Sequence, residues 1–160
     1  MADDAKTQRL VDVRLDEKTL VRRKPEVEHE RAIAIYDLLE ENYFCPAEEL
    51  TGPFSLVIRL EENRLLLNIS DAGGAPLTEV ALPMTPFRTI IKDYFLVCES
   101  YYSAIKRSSP SQIEAIDMGR RGLHNEGAEL MRARLAGKVE IDFSTARRLF
   151  TLVCALHQKL

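Results

Sequence analysis

No apolar run in this chain approaches the roughly 20 residues that a membrane-spanning helix needs, which argues against a helical membrane protein. Cysteine is scarce: Cys45, Cys98 and Cys154 lie far apart, and no Cys-x-x-Cys occurs. That speaks against a zinc ribbon and against a thioredoxin-type redox pair. The histidines are His29, His124 and His157, with no His-Glu-x-x-His, so the sequence assigns no metal. No Gly-Lys-Ser/Thr marks a P-loop, and no Gly-x-Ser-x-Gly marks a nucleophilic serine. Internal repeats and low-complexity tracts are missing as well.

What is present fits a globular protein, with 46% hydrophobic and 29% charged residues in 160. Residues 1–8 are expected to be disordered and residues 9–160 to form a single α+β domain. The polar, acidic N-terminus lacks the layout of a secretory signal, so the expected location is cytoplasmic. The net charge of −3 is uneven: residues 1–83 carry 10 basic and 17 acidic side chains, residues 84–160 carry 12 and 8. Any anion-binding surface therefore belongs to the C-terminal half. The surplus there is too small for a dedicated duplex-DNA binder, which makes nucleic acid an unlikely partner. The same unevenness permits an acidic-to-basic homodimer contact.

Hydrophobic periodicity supplies the elements. Arg9–Leu15 alternates as a half-buried strand with Val11, Val13 and Leu15 on one face. After the polar Asp16–Lys24, Pro25 opens a helix whose first turns carry Glu26, Glu28 and Glu30. Ala32, Ile35, Tyr36, Leu39 and Tyr43 are its expected core face. A loop through Cys45, Pro46 and Gly52-Pro53 leads to two alternating strands, Phe54–Glu61 and Arg64–Ile69. They are joined by the hairpin Glu62-Asn63, with Asn63 tolerating positive φ. The turn Asp71–Pro76 precedes a third strand, Leu77–Leu82.

The remainder is helical. Thr85 is the expected N-cap of a helix with Phe87, Ile91, Tyr94, Phe95, Cys98, Tyr101, Tyr102 and Ile105 on one face. Ser109-Pro110-Ser111-Gln112 is a capping box. A short strand, Val139–Ile141, precedes a buried last helix from Ser144. The order β-α-β-β-β-α-α-α predicts an α+β fold: a small antiparallel sheet with helices packed on one face.

The run Gly119-Arg-Arg-Gly-Leu-His-Asn-Glu-Gly127 is the candidate site. Glycine inside a helix costs about 1 kcal/mol relative to alanine, so three glycines within nine residues ask for a reason. Two readings stay open. In one, Gly122 ends a helix, Asn125 caps the next, and its free N–H groups face an anion beside Arg120, Arg121 and His124. Arg147 and Arg148 join them if the segments meet. In the other, one long helix continues, Gly119 and Gly122 permit close packing, and Asp117–Arg121 is an i,i+4 ion pair.

Several segments together resemble an uncharacterised bacterial protein family of unknown function. They are Val27–Ala32, Thr85–Arg88, Lys92–Phe95, Cys98–Tyr102, Ser109–Gly127 and Asp142–Phe150. The resemblance implies a small bacterial cytosolic protein and carries no activity, cofactor or catalytic residue. The residues themselves point to a non-catalytic binding or adaptor protein that takes a small anion or a protein partner, with no cofactor. The alternative is a small enzyme acting on a phosphorylated metabolite, with His124 as proton donor.

Overall fold

The computed structural model describes residues 7–16 and 25–157. Alternating apolar residues build a four-stranded sheet from β1 (Leu10–Asp16), β3 (Phe54–Glu61), β4 (Arg64–Asp71) and β5 (Pro76–Pro83), in the order β1-β3-β4-β5. The β3–β4 and β4–β5 pairs are antiparallel, as expected of consecutive hairpins. β1, however, runs parallel to β3, so the sheet is mixed. Parallel strands need a long crossover, and the intervening chain supplies one through helix α1 (Pro25–Glu40). Phe54, Leu56, Ile58, Leu65, Leu67 and Ile69 are buried in the core shared with the helices, giving the α+β fold read from the sequence.

Local chemistry moves several boundaries. A register shift between Leu10 and Asp12 breaks the alternation of β1. Leu10 and Val13 are therefore buried while Val11 is exposed. Gln8, assigned to a disordered tail, is buried: it donates to the Leu50 carbonyl at 2.9 Å and accepts from the Gly52 N–H at 2.7 Å. The rest of that tail, residues 1–6, and most of the polar link, residues 17–24, lie outside the described residues. In the β3–β4 hairpin the positive φ falls on Glu62 (56°), not Asn63. The Asn63 side chain instead holds the next segment, donating to Thr85 Oγ1 and accepting from Arg88. Thr85 thus caps nothing. It opens a 3-10 turn, Thr85–Phe87, ahead of α2 (Arg88–Arg107).

Cys45 is in a strand rather than a loop. β2 (Phe44–Pro46) pairs antiparallel with β6 (Val139–Ile141) as a separate two-stranded sheet. Next to it, the Tyr43 N–H donates to Thr145 Oγ1 at 3.0 Å, across 102 residues of sequence. Thr145 is fully buried near the start of α4 (Phe143–His157). α3 (Pro110–Leu135) packs against both α2 and α4, and α1 packs against α4. The buried line of α1 is Ala34 and Leu38, whereas Tyr36 of the expected core face is 67% exposed. The helix is rotated from the sequence reading, with Ile35 and Leu39 of the expected face only partly buried against the core. Among the described residues no helix is long and apolar enough to cross a membrane.

Candidate functional site

The glycine-bearing run lies inside one unbroken helix. Ser109 caps α3 through a reciprocal box, accepting from the Gln112 N–H and donating its own N–H to the Gln112 side chain. The helix then runs 26 residues without interruption. Gly122 therefore ends nothing, and Asn125 is an exposed mid-helix residue that caps nothing. The helix-start anion site is corrected accordingly, since those N–H groups belong to the interior of α3. Close packing falls on neither Gly119 nor Gly122. A Cβ on Gly119 would come no closer than 3.9 Å to Val97, and one on Gly122 would meet nothing within 4 Å. Gly127 is the constrained position, where a Cβ would stand 2.4 Å from the buried Phe150 ring. That glycine lets α3 lie directly on α4.

The continuous helix still gathers the cationic side chains. Arg120, Arg121 and His124 share one face of α3 at i, i+1 and i+4. Arg147, Arg148 and Thr151 repeat that spacing on α4. All six line one open cleft of about 320 Å³, together with Tyr94 of α2 and Glu30, Ile33, Ala34 and Asp37 of α1. Five of the six expected site residues thus meet, and Asn125 does not join them.

Their partners differ. Arg120 donates to Asp117 at 2.7 Å and to Glu30 at 3.3 Å, and its guanidinium lies 4.2 Å from the Tyr101 ring centroid. Tyr102 donates to the same Glu30 oxygen at 2.5 Å. Arg121 pairs with Asp117 at 3.2 Å, as the continuous-helix reading expects, and stays largely exposed. Arg148 reaches the Ser144 carbonyl and hydroxyl. Arg147 contacts His124 Nδ1 at 3.2 Å, and its buried Nε has no hydrogen-bond partner. Neither Arg147 nor Arg148 has a carboxylate partner among the described residues.

His124 is fixed from every side. A guanidinium can only donate, so Nδ1 must accept from Arg147 and the proton sits on Nε2. From there it points at the Arg147 carbonyl, 2.9 Å away, and at Thr151 Oγ1, 2.8 Å away. Its ring stacks on Tyr94 at 5.5 Å and leans on Phe150 at 5.8 Å. Burial, and then the positive charge of Arg147, push its pKa down to about 4. The imidazole is neutral near pH 7. It braces the guanidinium wall and adds no charge to it.

Other candidates separate from the cleft. His29 is exposed on α1, and His157 Nδ1 lies 2.8 Å from the Val153 carbonyl. Among the described residues no group of three or more His, Cys, Asp or Glu side chains could hold a metal ion. Burial raises the thiol pKa of Cys98 to about 11 and that of Cys154 well above its ordinary value. Both are packed as expected of core residues. Sequence reasoning missed Glu30 and Asp37 as lining residues. Their signal was the i, i+7 spacing of two acids around Ile33-Ala34, which sets them on one helix face.

Comparison with known proteins places the chain in a wider group. The model of an uncharacterised protein family, UPF0262, matches residues 7–159. A UPF0262 protein of Paramagnetospirillum magneticum is 61% identical over 150 residues, covering 94% of this chain and 96% of the relative. One from Rhodospirillum rubrum is 61% identical over 153 residues, covering 96% of this chain and 94% of the relative. One from Brucella canis is 55% identical over 158 residues, covering 98% of each. No solved structure matches the chain.

Proposed function

The chain belongs to the uncharacterised protein family UPF0262, and from the cleft alone we propose a cytoplasmic, non-catalytic protein that binds a small anion between α1, α3 and α4. One observation carries the reading: Arg147 and Arg148 line the same cleft as Arg120 and Arg121 without a carboxylate of their own. Guanidinium groups recognise carboxylate and phosphate by paired charge-assisted hydrogen bonds, and do so more strongly in a partly enclosed site. The unpaired, buried Nε of Arg147 adds to this. Leaving such a donor unsatisfied costs about 1–3 kcal/mol, and an anion that draws the guanidinium toward it removes that cost.

The proton-donor role for His124 has less support. Both ring nitrogens are engaged by fixed partners, and the ring is neutral well below pH 7. Such an imidazole is suited to orienting Arg147.

Calorimetric titration with inorganic phosphate at low salt tests the proposal. Binding is expected in the wild type, with a concentration-dependent rise in melting temperature. Arg148→Ala is expected to weaken it about 10- to 100-fold while leaving the unliganded melting temperature nearly unchanged. Absence of binding at low salt, or unaltered binding by Arg148→Ala, refutes the proposal.

A further inference from the structure

The cleft is electrically divided. The guanidinium groups come from α3 and α4, whereas α1 contributes two carboxylates, Glu30 and Asp37. Seven residues at 1.5 Å each separate these two by about 10 Å along the helix. They are not equivalent. Glu30 is already engaged by Tyr102 and Arg120. Asp37 lines the same cleft and its carboxylate has no hydrogen-bond donor among the described residues. Ile33 and Ala34, between the two acids along α1, and Tyr94 of α2 give the same cleft apolar and aromatic lining.

Resting on the anion-binding reading above, we propose that the ligand is bipolar. It is a small molecule whose phosphate or carboxylate is held by Arg147 and Arg148 and whose amine is held by Asp37, with a short carbon skeleton over Ile33 and Ala34. An anion alone brings a like charge into the cleft that Asp37 lines. A cationic group on the same ligand turns that repulsion into a charge-assisted hydrogen bond.

The test compares two probes that differ only at the far end: O-phosphoethanolamine, with an ammonium group, and ethyl phosphate, with a hydrogen in its place. Calorimetry at low salt is expected to show O-phosphoethanolamine binding about tenfold more tightly. Asp37→Asn is expected to remove that advantage and to leave ethyl phosphate within about twofold of its wild-type affinity. Equal binding of the two probes by the wild type overturns the bipolar assignment and leaves the anion site standing. An equal loss for both probes in Asp37→Asn overturns it in the same way. If neither probe binds, the anion site fails and the bipolar assignment fails with it.

Discussion

Replacing Gly122 by alanine distinguishes a continuous α3 from a broken one by the sign of the effect. The added Cβ meets nothing within 4 Å, so no packing penalty enters. What remains is the intrinsic preference of an exposed helix interior, where alanine is favoured over glycine by about 0.8–1 kcal/mol. For a chain of this length that raises the melting temperature by about 2–4 °C. Had Gly122 ended a helix in the left-handed region, the same change would lower stability by about 1 kcal/mol or more. Thermal and urea unfolding, followed by circular dichroism, separate the two outcomes. Gly127→Ala is the matched control. It gains the same preference, but its Cβ falls 2.4 Å from the Phe150 ring. Overpacking a filled core costs about 1–3 kcal/mol, so its melting temperature should lie below that of Gly122→Ala and below the wild type. A destabilised Gly122→Ala would refute the unbroken helix, and with it the face that brings Arg120, Arg121 and His124 together.

Two further expectations follow from buried polar groups. The His124 pKa is about 4 in the folded protein against about 6.5 in an unfolded chain. The unfolded state therefore binds more protons between those values, and stability present above pH 6.5 is lost as pH falls toward 4, by about 3 kcal/mol in full. Urea unfolding at pH 7 and pH 4.5 should show a smaller loss for His124→Gln, and identical losses would contradict the assignment. Thr145→Val removes the buried hydroxyl that accepts from the Tyr43 N–H and should cost about 1–3 kcal/mol; a variant as stable as the wild type would show that this bond adds nothing to stability.

The strands of the central hairpins and the long aromatic face of α2, apart from Ile105, which is 51% exposed, were legible because alternation and helical spacing were strong there. Parallel pairing of β1 was not, since period 2 says that a strand exists without saying which edge receives it. The burial of Leu10 instead of Val11 depends on a register shift that the local pattern does not encode. Five cleft residues were found from their charge and clustering. Glu30 was overlooked because acids in the early turns of a helix already have an explanation in the helix dipole, and Asp37 because a single acid in the last turn of a helix reads as solvated surface. Gly127 had a reason that only the position of Phe150 supplies. Asn125 was assigned to the site because a cap was expected there, and the helix continues through it.

The bond between Tyr43 and Thr145, beside the β2–β6 pair, makes each end of the molecule wait for the other. Contacts spanning so much sequence slow folding, because a large loop must close before they form. The arginines of α4 and the acids of α1 line one cleft although they lie more than 100 residues apart in sequence. On the anion-binding proposal, any fragment stopping short of Phe143 lacks Arg147 and Arg148 and is expected not to bind phosphate.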